Sequence, residues 1–176
     1  YEQGTVTKPQ LMKERFARLF AALGVNADAV QANTLYFTTL CGRGYLLPGA
    51  EDFLRSLKEC GKIFLITNGT PAAQYGRLRS LGLEHFFDGI FISDEIGFSK
   101  PDARFFAYVL DKAGLQSGEC AVIGDSLTSD IRGANNAGIL SIWYNAKGKI
   151  AEGAHPDHTA RSYAKILEIV RSLGSE

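Results

Sequence analysis

The sequence predicts an α/β fold in which helices flank a parallel β-sheet, with a separate helical segment in front. After about residue 45, short apolar runs alternate with amphipathic stretches of helical length, which is the pattern of βαβ units. Before that point only helical periodicity is present, and Gly42 and Gly44, followed by Pro48, interrupt it. We therefore expect two units, residues 1–44 and 45–176.

The first unit contains two predicted helices. Apolar side chains recur at helical spacing over residues 11–23, and Gly24 ends this stripe. Asn26 or Asp28 can cap a second helix, which runs through Leu40.

Helices and strands alternate in the second unit. Predicted helices cover residues 51–60, 72–81, 103–113, 129–137 and 163–173, the last capped by Ser162. Predicted strands cover residues 63–66, 89–92, 121–123 and 139–144, and Thr159 and Ala160 add a short edge strand. Residues 63–66 are all apolar, which is typical of a parallel strand buried on both faces.

Composition argues against several classes of protein. Lys plus Arg and Asp plus Glu each number 19, so the basic excess of a nucleic-acid-binding protein is absent. No apolar run approaches the roughly 20 residues that span a bilayer, and residues 1–4 do not resemble a signal peptide. Cys41, Cys60 and Cys120 form no Cys-x-x-Cys pair, so we expect reduced, mostly buried cysteines in a cytoplasmic protein.

Polar residues follow the predicted strands at the edge where open parallel sheets bind ligands. Each has a structural explanation, since turns, helix caps and surface lysines use the same residue types. As a set they suit phosphate and Mg²⁺: amides at a helix start bind anions, a lysine neutralises charge, and carboxylates bind the metal. The residues are Thr67, Asn68 and Gly69 after the first strand, Lys100 after the second, and Asp125 and Asp130 after the third.

Three segments resemble the second, third and fourth motifs of the haloacid dehalogenase superfamily. They are Ile66-Thr67-Asn68-Gly69, Gly97-x-x-Lys100-Pro101-Asp102 and Val122-Ile123-Gly124-Asp125-Ser126-x-x-x-Asp130. Their order and strand context match along essentially the whole chain. The resemblance implies a Rossmann-like core and, for residues 1–44, part of a helical cap. Shorter pieces, among them Trp143-Tyr144-Asn145, resemble the branch of nucleotide monophosphatases that prefer pyrimidine 5′-nucleotides.

The resemblance also implies roles for the residues. Thr67 and Lys100 would be catalytic and would bind the substrate phosphate together with Asn68 and Gly69. Asp125 and Asp130 would form the metal site for Mg²⁺, with Asp130 acting through water or by orienting Lys100. The substrate would be a small phosphate ester, hydrolysed through an aspartyl-phosphate.

The superfamily's first motif, Asp-x-Asp-x-Thr, is not found in the printed sequence. In the family its first aspartate attacks phosphorus, its second protonates the leaving oxygen, and its strand lies between those expected here at Ile63 and Ala121. We therefore expect the chain to be a C-terminal portion of a longer polypeptide, and expect the printed chain alone to be inactive.

Other functions stay open at this stage. Hydrolytic dehalogenation uses the same scaffold without metal, although clustered acids such as Asp125 and Asp130 would repel a nucleophilic carboxylate in the absence of a cation. An inactive phosphate-binding member is a second alternative. A phosphorylated signalling receiver matches less well, because the order of its residues differs. His155 and His158 could pair on a metal, but a surface loop is the simpler explanation. The sequence leaves the exact substrate and the formation of a homodimer undetermined.

Overall fold

The computed structural model describes residues 5–174 and shows helices alternating with short parallel strands. Residues 1–4 of the predicted cap segment and residues 175–176 lie outside this range. In chain order the elements are α1 (Lys8–Leu23), α2 (Ala29–Gly42), α3 (Ala50–Lys58), β1 (Phe64–Thr67), α4 (Pro71–Leu81), β2 (Gly89–Ile92), α5 (Ser93–Ile96), α6 (Ala103–Ala113), β3 (Ala121–Gly124), α7 (Arg132–Ala137), β4 (Leu140–Tyr144), β5 (His158–Ala160) and α8 (Tyr163–Leu173). Short 3₁₀ turns cover Glu84–Phe86 and Ser117–Glu119, and a π-helix covers Leu127–Ile131.

The first two helices end and begin where local sequence signals predict. Gly24 ends α1 with a φ of 64°, a left-handed conformation that residues with a side chain rarely adopt. Asp28, rather than Asn26, caps α2, because its carboxylate accepts hydrogen bonds from the N–H groups of Val30 and Gln31 at 2.9 and 3.0 Å.

The predicted cap segment packs on the core through α2. Between α1 and α2 the rings of Phe16 and Tyr36 lie 5.7 Å apart, centroid to centroid, in an edge-on arrangement. Where α2 crosses α4, a Cβ added to Gly76 would lie 1.9 Å from the carbonyl oxygen of Cys41. The absence of a side chain at Gly76 therefore allows the two backbones to approach closely.

All paired strands are parallel, which confirms the predicted sheet type. β1 pairs with β2, β3 pairs with β4, and β4 pairs with β5. These pairings form a two-stranded and a three-stranded sheet, because β1 and β3 are not hydrogen-bonded to each other among the described residues. The separation falls where the family resemblance places the strand of the first motif.

Helix α6 contributes the side chains that connect the two sheets. Phe105 and Phe106 are at most 1% exposed and pack in one cluster with Val122 of β3. Ile66 of β1 and Phe91 of β2 pack against the same cluster. The two sheets therefore share one hydrophobic core, although no strand joins them in the described part of the chain.

Several sequence expectations need correction. The strand predicted at residues 63–66 lies at Phe64–Thr67, and its side chains are half-buried instead of fully buried. The physical reason is that one edge of β1 has no neighbouring strand among the described residues. The helix predicted at residues 129–137 begins earlier as the π-helix and continues into α7, and α5 was not predicted.

The cysteines are unpaired, as expected, but they are not mostly buried. Cys60 is exposed, and Cys41 and Cys120 are partly exposed. Cys60 is exposed because α3 ends at Lys58, so this cysteine lies in the turn that follows the helix. Among residues 5–174 no helix is long and apolar enough to span a membrane.

Candidate active site at the carboxyl ends of the strands

Lys100 joins the ends of the two sheets. Its Nζ donates hydrogen bonds to the backbone oxygen of Ile66 in β1 at 3.0 Å and to Oδ1 of Asp130, which follows β3, at 2.7 Å. Lys100 and Asp130 are each 8% exposed. Breaking such a buried ion pair by removing one partner costs about 3–5 kcal/mol, so the ammonium group is firmly placed beside the ends of β1 and β3.

Asn68 fixes the main chain of Lys100. Its Nδ2 donates to the carbonyl oxygen of Lys100 at 2.8 Å, and its Oδ1 accepts the Lys100 N–H at 2.9 Å. The sequence predicts Asn68 as a phosphate-binding residue through its backbone amide. The structure adds a role for the side chain, which holds both main-chain polar groups of the lysine.

A strand end, a tight turn and a helix start follow one another next to Lys100. Thr67 is the last residue of β1, and its hydroxyl accepts the N–H of Gly69 at 3.0 Å. Thr70 then caps α4 by accepting the N–H of Ala73 at 3.4 Å. Because N–H groups at a helix start favour negative charge, this turn together with Lys100 can hold a phosphate group.

The two aspartates that follow β3 have different environments. Both carboxylate oxygens of Asp130 have partners, Lys100 Nζ on Oδ1 and the N–H of Ser126 on Oδ2 at 3.2 Å. Asp125 is exposed, and its carboxylate has no hydrogen-bond or ion-pair partner among the described residues. The structure thus brings Asp130 onto Lys100 and leaves Asp125 available as a ligand, and the metal-binding role of both aspartates stays a prediction.

The residues of this site fit a magnesium ion that is shared with a substrate. Within residues 5–174 no cluster of three or more His, Cys, Asp or Glu side chains could enclose a metal. Mg²⁺ commonly binds only one or two carboxylates and keeps water and substrate phosphate as its other ligands. The uncommitted carboxylate of Asp125, five residues before the Asp130 that pairs with Lys100, matches this type of site.

The sequence did not predict a role in the site for two further residues, Trp143 and Gly124. Trp143 of β4 donates its indole N–H to the carbonyl oxygen of Asp125 at 3.1 Å. Gly124 has no room for a side chain, because an added Cβ would lie 2.4 Å from Oδ2 of Asp130. The available signals were a glycine directly before the aspartate and a tryptophan near the end of the next strand.

The segment from His155 to His158 shows no metal cluster among the described residues. His155 is exposed and His158 belongs to β5. Asp157 between them accepts hydrogen bonds at its Oδ2 from the backbone N–H and the hydroxyl of Ser141, at 2.8 and 2.7 Å. These hydrogen bonds, first that from the hydroxyl and then that from the N–H, lower the pKa of Asp157 below its ordinary value.

An open groove of about 360 Å³ lies between the predicted cap segment and α4. Its surface is mostly apolar, and two tyrosines and two arginines are among the residues that line it. Its lining residues are Tyr36, Thr39, Leu40, Arg43, Tyr45 and Arg77.

Comparison with known proteins identifies the family. The sequence model of haloacid dehalogenase-like hydrolases matches residues 5–138. The pyrimidine 5′-nucleotidase PynA of Streptococcus pneumoniae is 39% identical over 166 residues, which are 93% of this chain and 70% of that protein. The pyrimidine 5′-nucleotidase YjjG of Escherichia coli is 33% identical over 172 residues, 97% of this chain and 76% of that protein.

The fold comparison agrees with the sequence comparison. The crystal structure of the putative HAD-hydrolase YfnB from Bacillus subtilis, bound to magnesium, superposes with a TM-score of 0.89 at 32% identity. The superposition covers 96% of this chain and 75% of that one. The family model and both nucleotidases match most of this chain. The chain belongs to the haloacid dehalogenase-like hydrolase family.

Proposed function

We propose that the protein is a magnesium-dependent phosphatase that hydrolyses small phosphomonoesters, with nucleoside 5′-monophosphates as its favoured substrates. The observation that carries the proposal is the buried ammonium of Lys100, held between the end of β1 and Asp130. A fixed positive charge next to a helix start is suited to the negative charge that phosphoryl transfer redistributes.

Phosphate binding is assigned to the turn after β1 and to Lys100. The hydroxyl of Thr67 and the N–H groups of Asn68 and Gly69 would bind the phosphate oxygens. Lys100 would neutralise both the phosphate and the attacking carboxylate. The side chain of Asn68 keeps the lysine main chain in place through the two hydrogen bonds described above.

Metal binding is assigned to the loop after β3. Asp125 would supply a direct ligand to Mg²⁺, and Asp130 would support the site through water or through its ion pair with Lys100. When bound, the ion neutralises the phosphate oxygens and makes phosphorus more open to attack. The residues themselves orient the phosphate and hold the lysine charge next to it.

The attacking group is proposed to be a carboxylate on a strand that lies between β1 and β3, outside the printed sequence. The separation of the two sheets at this position supports the proposal. A carboxylate oxygen would form a bond to phosphorus while the bond to the leaving oxygen breaks, and a second acid would give that oxygen its proton. Water would then attack the aspartyl-phosphate, releasing phosphate and restoring the carboxylate.

Nucleotides are the favoured substrate class for two reasons. Both nucleotidases compared above carry the name pyrimidine 5′-nucleotidase and are similar to this chain over more than nine-tenths of its length. In addition, the groove beside α2 contains tyrosines and arginines, which can stack on a planar base and attract an anion. Residues 1–44 would accordingly act as part of a cap that selects the leaving group.

The test is phosphate release by the complete protein as the cell makes it. Uridine and thymidine monophosphates are compared with adenosine monophosphate and with a 2-haloacid, each with Mg²⁺ and with EDTA. We expect phosphate release that requires Mg²⁺ and is fastest with the pyrimidine nucleotides. Halide release that persists in EDTA would instead establish the dehalogenase alternative, and binding of phosphate without turnover would establish an inactive member.

Lys100→Ala is expected to lower kcat for phosphate release by about 100-fold or more, because it removes the positive charge beside the reacting phosphate. The measurement is steady-state turnover of protein that circular dichroism shows to be folded, since Asp130 loses its buried partner. Lys112→Ala is the matched control: Lys112 is exposed in the last turn of α6 and should be removable without loss of turnover. Equal activity of the two variants would contradict the role of Lys100.

A further inference from the structure

Trp143 makes a hydrogen bond that the proposed roles do not explain. Its Nε1 donates to the backbone oxygen of Asp125 at 3.1 Å, and the residue is only 3% exposed. The indole N–H is the single polar group of a tryptophan side chain and acts only as a donor. In this protein it is directed at the main chain of the residue whose carboxylate is exposed and uncommitted.

The ring of Trp143 also contacts the segment that carries Asp130. Trp143 and Ile131 form a buried cluster with Ala154, and Leu127 packs against it. Leu127 and Ile131 are the first and last residues of the π-helix that contains Asp130. π-helical turns are rare and occur often at functional sites. One side chain thus contacts the loop at Asp125 and the turn that supplies the partner of Lys100.

Strand pairing explains why Trp143 can reach both places. It lies opposite Gly124 in the register of β3 and β4, so it stands beside the residue that precedes Asp125. The strands are hydrogen-bonded there and the ring is packed, which leaves the indole little freedom to turn away. The hydrogen bond holds the carbonyl group of Asp125 in one direction and so fixes the main chain from which the carboxylate projects.

We propose that Trp143 is a positioning residue for metal binding: its indole N–H sets the backbone of Asp125 so that the carboxylate points at the magnesium ion. The inference rests on the proposed function, since it assumes that Asp125 binds the metal. Trp143 touches neither substrate nor ion and acts only through Asp125. Partners that orient a ligand in this way typically contribute about 10–100-fold to metal affinity.

A tryptophan that served only to fill the core would affect stability and leave metal affinity unchanged. The two roles separate when the N–H is removed while the ring is kept. Trp143→Phe removes the donor and keeps an aromatic ring in the cluster. A second substitution replaces Trp143 by 3-benzothienylalanine, which has the shape of tryptophan with sulfur in place of the N–H, and so remains informative where the phenylalanine variant fails to fold.

Ile131→Val is the matched control. Ile131 is fully buried in the same cluster, so this variant loosens the packing while the hydrogen bond to Asp125 remains. The measurement is the Kd of Mg²⁺ by isothermal titration calorimetry on the complete protein, without substrate, together with the Tm of each variant. We expect both Trp143 variants to bind Mg²⁺ about 10-fold or more weakly, and Ile131→Val to keep the original Kd at a lowered Tm.

The outcomes distinguish this inference from the proposed function. If the unsubstituted protein binds Mg²⁺ and the Trp143 variants bind it equally well, the positioning role is wrong and the phosphatase proposal is untouched. If Ile131→Val weakens binding as much as the Trp143 variants do, the effect belongs to packing and the inference also fails. If the unsubstituted protein does not bind Mg²⁺, both the metal-dependent function and the role of Trp143 are overturned.

Discussion

At the residue scale, Gly124 lies directly against the side chain of Asp130 and leaves no space for a side chain of its own. An added Cβ would lie 2.4 Å from both Oδ2 and Cβ of Asp130, a distance that real Cβ atoms essentially never show. Asp130 cannot move aside freely, because its oxygens hold Lys100 and the N–H of Ser126. The glycine is therefore required by the close approach of the aspartate to the end of β3.

Gly124→Ala is expected to lower the free energy of unfolding by about 1–3 kcal/mol, as overpacking does in closely packed sites. It should also reduce phosphate release by the complete protein, since the displaced aspartate no longer fixes Lys100. Chemical unfolding and steady-state turnover measure the two effects. Gly118→Ala is the control, because an added Cβ at Gly118 meets no atom within 4 Å; if Gly124→Ala behaves like it, the close approach has no energetic importance.

Asp157 gives a prediction for pH. Its pKa is lowered in the folded protein by the hydrogen bonds from Ser141, so the folded state binds fewer protons there than the unfolded state does. Its stabilising contribution is present above the ordinary pKa of about 4 and is lost as the pH falls through the lowered value. The free energy of unfolding of Asp157→Asn should therefore differ most from that of the unsubstituted protein near neutral pH.

The measurement is the urea midpoint of unfolding between pH 3 and pH 7 for both proteins. Ser141 is fully buried, and leaving a buried donor with a weaker partner costs on the order of 1–3 kcal/mol at neutral pH. The difference between the urea midpoints of the two proteins should become smaller as the pH is lowered. A gap that stays constant over this range would show that the charge of Asp157 does not matter.

At the scale of elements, the contact between α2 and α4 fixes the predicted cap segment on the core. Gly76→Ala would place a Cβ 1.9 Å from the backbone oxygen of Cys41, and a backbone atom cannot rotate away as a side chain can. Alanine has the better helix propensity by about 1 kcal/mol, but this clash forces α2 to shift. We expect faster amide hydrogen exchange in α1 and α2 and a lower Tm.

Gly42→Ala provides the comparison within the same pair of helices. Gly42 is the last residue of α2, and an added Cβ meets nothing within 4 Å. This variant should exchange like the unsubstituted protein. If the amide protons of α1 and α2 exchange as slowly in Gly76→Ala as in the unsubstituted protein, the contact between α2 and α4 is not what holds the predicted cap segment.

Some elements followed directly from local sequence. The glycines at positions 24, 82, 114 and 138 end helices with φ angles near 65°, and each was preceded by a helical apolar pattern. By contrast, the π-helix at Leu127–Ile131 was not predicted from the sequence. Its Asp130 carboxylate accepts the N–H of Ser126, four residues earlier, and also pairs with the distant Lys100.

At the scale of the whole molecule, two sheets share one core without being joined by a strand among the described residues. The buried phenylalanines of α6 fill the space between them, and the Lys100 ammonium connects their carboxyl ends. The candidate site is thus built from both sheets. The geometry of the site therefore depends on the distance between the two sheets. The strand that carries the nucleophile is proposed to lie in the space between them.

The sequence by itself determined the order of helices and strands, the parallel pairing, the family and the set Thr67, Lys100, Asp125 and Asp130 at the strand ends. These follow from short-range periodicity, capping residues and motif spacing, all of which are local properties of the chain. Only the tertiary structure decided that Asp130 is committed to Lys100, that Asn68 holds the lysine main chain, and that Trp143 reaches Asp125. The reason is physical: each of these contacts joins residues 18 to 32 positions apart, and such contacts exist only once the strands are placed side by side.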